Sequence, residues 1–109
     1  MAQYILIITT TSQRTDAEKI CQTLVKNNLS ACCQILGPIK SYYVWENKLE
    51  NTKEYLCLIK TTKNKYRKVE SAIRQIHPYK IPEIIAIDIS QGYQKYLAWL
   101  EKSLSDNCQ

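Results

Sequence analysis

The chain is short of the residues that break regular structure. Two glycines and three prolines occur in 109 residues, too few for long loops or low-complexity linkers. There is no C-x-x-C pair, so the usual signature of a structural zinc site is missing. Neither a G-x-S-x-G elbow nor a phosphate-cradling glycine loop occurs, which removes two common catalytic frameworks. The longest apolar runs, such as "YILII" and "IIAI", fall far below the ~18 residues a membrane span needs. The leading "MAQYILII" has neither the basic region nor the small-residue cleavage site of a signal peptide. No repeat at solenoid spacing is visible. These absences set the expectation of a cytoplasmic protein with no membrane partner.

What is present fits one domain over residues 1–109. The chain is 45% hydrophobic and 23% charged, ordinary values for a globular protein, and is long enough to bury a core without staples. A net charge of +5 permits anion binding without demanding it. The cysteines are Cys21, Cys32, Cys33, Cys57 and Cys108. An odd number argues against a disulfide framework. Cys21 and Cys57 sit inside periodic apolar patterns and are expected to be small buried hydrophobes.

Residues 4–10, "YILIITT", are apolar and β-rich and predict a strand. Ser12 or Thr15 can cap the helix that follows, and Thr15 with Glu18 has capping-box spacing. Ala17, Ile20, Cys21, Leu24 and Val25 recur at helical spacing up to "KNN". Residues 31–61 predict one long interrupted hairpin, bent at Gly37 and Pro38, with Asn47 at positive φ in its turn. A second helix over 64–76 points Tyr66, Val69, Ile73 and Ile76 inward, and Pro78 ends it. Pro82 then opens a strand over 83–89. A last helix over 93–104 carries Tyr93, Tyr96, Leu97, Leu100 and Leu104 on its inner face. The order β-α-β-β-α-β plus a C-terminal helix is α+β, the ferredoxin-like split βαβ arrangement.

A sheet covered by helices on one side should alternate apolar and polar residues. These strands are apolar on both faces: Tyr4, Leu6 and Ile8 oppose Ile5 and Ile7, and Ile84 opposes Ile85 and Ile87. Both faces are therefore expected to be buried. One short C-terminal helix covers little of a four-stranded sheet, so an obligate oligomer with sheet-mediated contacts is expected.

"WENK" at residues 45–48, "IKT" at 59–61 and "HPYKIPEI" at 77–84 resemble the CutA family, the divalent-cation-tolerance proteins, and the likeness covers nearly the whole chain. The resemblance implies a sheet-packed homotrimer similar in assembly to the PII signalling proteins. It also implies a role in tolerance of copper or another divalent metal, with no metal required for folding. The chain departs from the family pattern at Gln34, Asn47 and Lys80. The last puts a cation where the family usually has a carboxylate.

Three donors could hold a soft metal: Cys32, Cys33 and His77. Cys32 and Cys33 are adjacent on a strand and point to opposite faces, so one chain lacks the ligands for a mononuclear site. A site shared across a trimer stays open. Tyr43, Trp45, Glu46, Lys60, His77, Tyr79 and Glu83 are the polar and aromatic members of the resembling motifs. They suit a small-ligand pocket between subunits. The plain structural alternative is that Tyr43 and Trp45 pack the hairpin tip on a neighbour. An enzyme is not expected, since only Cys32 or Cys33 with His77 offers a nucleophile and base. Nucleic acid is not expected either, because "YLCLIKTT" lacks the stacking aromatics of RNA-recognition motifs.

Overall fold

The computed structural model describes residues 3–105. The ends of the expected 1–109 domain, Cys108 among them, lie outside the described residues. The elements run β1 (Tyr4–Thr11), α1 (Arg14–Lys26), β2 (Cys32–Trp45), β3 (Lys48–Thr62), a single 3-10 turn (Lys63–Lys65), α2 (Tyr66–Ile76), β4 (Ile85–Ile89) and α3 (Gln94–Ser103). The sheet order is β2-β3-β1-β4, with every pair antiparallel. This is the α+β, ferredoxin-like split βαβ arrangement with an added C-terminal helix. Among the described residues no helix is long and apolar enough to cross a membrane.

Helices α1 and α2 cover one face. Ile5 and Ile7 from β1 and Cys57 and Ile59 from β3 meet Ala17, Ile20 and Leu24 from α1 and Val69 and Ile73 from α2. Each is 2% exposed or less. Burying a side chain of the Ile or Leu class is worth about 1.5–3 kcal/mol, so this layer dominates stability. Val25, assigned to the inner face of α1, is instead 42% exposed, since it falls at the edge of the apolar stripe. The residue preceding α1 is Gln13, with no side-chain cap, and Thr15 lies within the helix. Thr11 Oγ1 closes the turn instead by donating to the Gln13 carbonyl at 2.7 Å.

The hairpin β2–β3 is long. Its 14- and 15-residue strands reach about 45–50 Å at ~3.3 Å per residue, matching the 47 Å long axis of the chain. Trp45 pairs with Lys48, so the turn is only Glu46 and Asn47. Both have positive φ, 50° and 65°, as a two-residue turn that follows the strand twist requires. Asn47 is where the sequence places it; Glu46 joins it because both central residues must share the geometry. The register slips between Leu36 and Ile39, a bulge at Gly37. Gly37 has φ +155°, and a Cβ there would sit 2.9 Å from the Tyr55 ring and 3.0 Å from the Glu54 carbonyl.

The second face is only partly covered. Helix α3 lies over one end of it, burying Leu100 and Leu104. Tyr4 donates to Glu101 at 2.9 Å, and the Lys60 ammonium sits 5.6 Å from the Tyr96 ring centroid. Tyr93, expected inward, is 70% exposed, because α3 starts only at Gln94; Tyr96 does face the sheet, against Lys60 and Cys32, with 37% of it exposed. Beyond it Leu36, Ile85 and Ile87 stay 56%, 47% and 49% exposed. Within one chain, then, the two faces are not equally buried.

Candidate functional site

Helix α2 ends at His77, whose backbone turns to an extended conformation (φ −73°, ψ 133°) just before Pro78, as the residue ahead of a proline must. His77 is 8% exposed, and both ring nitrogens are engaged. Nε2 is 2.8 Å from the Thr10 carbonyl, and Nδ1 accepts from the Tyr79 N–H at 3.1 Å. The partners assign the proton: Nε2–H donates to Thr10, and Nδ1 is the acceptor. His77 thus ties the end of α2 to β1 and sets the position of Tyr79, whose ring lies 4.7 Å from the imidazole centroid to centroid.

Tyr79 reaches the hairpin. Its hydroxyl donates to Glu54 Oε2 at 2.6 Å, and Ser41 Oγ donates to Glu54 Oε1 at 2.6 Å. Glu54 is 7% exposed. Burial, and then the hydrogen bond to Glu54, push the Tyr79 phenol well above its ordinary range, so it stays a donor. These residues floor a cleft of about 850 Å³ between the hairpin and the segment leading to β4. Tyr43, Trp45, Tyr79 and Glu83 line it, four of the seven residues assigned to a pocket from sequence.

The other three fall elsewhere. His77 is buried behind Tyr79, and Glu46 occupies the hairpin turn. Lys60 is six residues along β3 from Glu54, about 20 Å away at strand spacing, where it faces Tyr96. Lys80 also lines the cleft. Among the residues missed are Ser41, Glu50 and Glu54. No sequence signal marked Glu54, because it follows the mostly polar stretch "KLENTK" and reads as one more exposed charge.

The proposed ligand set Cys32, Cys33 and His77 does not assemble in one chain. Cys33 is bonded to Cys21, with Cα atoms 5.4 Å apart. This corrects the expectation that the chain would hold no disulfide: α1 crosses directly over β2 on the helix-covered face, bringing the two thiols together. Cys32, on the opposite face as its neighbour relation demands, is a free thiol, 3.9 Å from the Tyr96 hydroxyl. It pairs with Lys60, whereas Thr10, which holds His77, pairs with Leu56. Four residues of strand separate them, about 13 Å. Among the described residues no three His, Cys, Asp or Glu side chains are grouped to hold a metal. Cys57 is free and buried as expected, and burial pushes its thiol up to about 11.

The comparisons with known proteins agree with this architecture. The family profile described as CutA1 divalent ion tolerance protein matches residues 5–103. The divalent-cation tolerance protein CutA of Thermus thermophilus is 34% identical over 99 residues, covering 91% of this chain and 95% of that protein. Its counterpart in Pyrococcus horikoshii is 36% identical over 96 residues, covering 88% and 93%. The crystal structure of the divalent ion tolerance protein CutA1 from Ehrlichia chaffeensis superposes with a TM-score of 0.92 at 35% identity, covering 96% of this chain and 98% of that one. With the fold, the hairpin and the His77–Ile84 segment all in place, the chain belongs to the CutA1 divalent ion tolerance family.

Proposed function

We propose that the protein acts in divalent-cation tolerance as a homotrimer whose open sheet faces pack on one another, with copper or a similar soft cation contacted at Cys32. The observation that carries this reading is the open face itself. Leu36, Ile85 and Ile87 lie about half exposed on a sheet whose other face is sealed, and contiguous apolar surface of this kind marks an interface. Cys32 lies on that same face as a free thiol, so assembly would bring copies of it closer, and thiolate is a favoured ligand of soft metals. Native mass spectrometry of protein purified without chelator is expected to show trimer. Copper(I) titration of that trimer is expected to weaken in Cys32→Ser. A stable monomer at micromolar concentration overturns the assembly, and unchanged affinity in the variant overturns Cys32.

A second reading rests on a different observation, the built cleft floored by Glu54, Ser41 and Tyr79. Here the protein is a sensor or scaffold that binds a small ligand beside the hairpin, and metal contact is incidental. Under either reading the proposal is of a binding protein, and what supports it is the separation of Cys32 from His77 and the two hydrogen bonds that engage the His77 ring. A cytoplasmic location belongs to the proposal too. The Cys21–Cys33 bond is the observation that weighs against it, since the cytosol keeps thiols reduced. Cell fractionation with thiol trapping decides between them.

A further inference from the structure

The chain carries net charge +5, yet its large cleft is acidic. Glu50, Glu54 and Glu83 line it, against Lys80 as the one cation among the lining residues. Glu54 is the most telling of them. A buried carboxylate is ordinarily paired with a cation, but among the described residues Glu54 has only two hydroxyl donors, Ser41 and Tyr79. Two donors leave about half of the lone-pair sites of a carboxylate unused. The walls above it are aromatic: Tyr43, with Trp45 farther out, on the β2 side and Tyr79 opposite. Aromatic faces attract cations. The carboxylates are not grouped closely enough for a metal ion. An acceptor with free lone pairs favours a cation that carries N–H groups over one that carries none.

We infer that this cleft binds a small primary or secondary amine in its protonated form, carried on an apolar body that packs against the aromatic walls. The inference deepens the second reading above and rests on it. The ammonium group donates to Glu54, with Glu50 and Glu83 supplying the surrounding negative potential. The apolar body lies between Tyr43 and Tyr79, both of which line the cleft nearer to Glu54. Lys80 at the rim repels a second cation and limits the site to ligands of low charge.

The test uses the full-length protein in its native assembly, with Trp99→Phe introduced so that emission reports Trp45. Phenethylamine, protonated at pH 7, is titrated against 2-phenylethanol, which has nearly the same shape and no charge, and 3-phenylpropionate, which is anionic. Saturable quenching by phenethylamine is expected, with the alcohol weaker by about tenfold or more, the worth of one charge-assisted hydrogen bond. Glu54→Gln should remove most of that preference. Tyr43→Ala, at an exposed position lining the cleft, should weaken the amine while keeping the Trp45 reporter and without that risk to folding. Equal binding of the amine and the alcohol, or tighter binding of the anion, overturns the ammonium assignment and leaves the cleft reading standing. Failure of all three probes to bind overturns both.

Discussion

The two faces of the sheet are built from similar residues and have different fates. On the helix-covered face Ile5, Ile7 and Ile59 are sealed to 2% exposure or less, and the Cys21–Cys33 bond staples α1 to β2 across the layer. On the other face Ile85 and Ile87 remain about half exposed. Residue type therefore does not say which surface is finished. A finished face is one whose side chains find partners within the chain, and the unfinished one is the surface that the proposed assembly would cover, because exposed apolar area costs about 25 cal/mol per Å².

The contrast can be broken in four ways. The largest expected effect is on the sealed face. Ile59→Ala should cost about 2–5 kcal/mol in denaturant unfolding, the range for a buried aliphatic cut to alanine. Ile87→Asp should instead keep the far-UV spectrum and separate the subunits by sedimentation velocity. If Ile87→Asp sediments as the wild type does, the open face is not a subunit contact.

Next comes the staple. Cys21 and Cys33 are 12 residues apart, and closing a loop of that length stabilises by about 3 kcal/mol in the chain-entropy picture. Unfolding with and without reductant should differ by an amount of that order. Peptide mapping without reduction should recover Cys21 joined to Cys33, and recovery of both as free thiols sinks the staple.

Smaller is Tyr79→Phe, which removes one donor from the buried Glu54. A loss of about 1–3 kcal/mol is expected for the group left under-satisfied, read as a shift in the denaturant midpoint at unchanged slope. Ser41→Ala tests the same carboxylate from the hairpin side.

The smallest effect separates the two free thiols among the described residues. Burial raises Cys57 from 9.0 to about 11, so the folded state favours its neutral form. The sign follows: the neutral-thiol contribution to stability is fully present below pH 9 and is lost as pH rises through 11. Iodoacetamide at pH 8 should label Cys32 in the folded protein and reach Cys57 only after unfolding. Equal labelling of the two would show that the sealed face opens.

Much of the architecture was legible because local chemistry dictated it. The apolar, β-rich run "YILII" marks β1, the 3.6-residue recurrence of Ala17, Ile20, Cys21 and Leu24 marks α1, and Asn47 marks the hairpin turn. The cleft was half legible. Tyr43, Trp45, Tyr79 and Glu83 stand in distinctive motifs, but Glu46, Lys60 and His77 share those motifs without sharing the place. A motif groups residues by chain neighbourhood, whereas strand pairing sends Lys60 toward α3 and the helix C-terminus turns His77 inward.

The sequence by itself determined the order of elements, the apolar character of both sheet faces and the family, since propensity, periodicity and motif are all local. Only the tertiary structure decided that Cys33 meets Cys21 rather than a metal, because that depends on α1 crossing β2. It alone decided that Glu54 lies under Tyr79 and Ser41. A carboxylate takes its role from the groups packed around it, and those arrive from β2 and from beyond α2 only when the chain has folded.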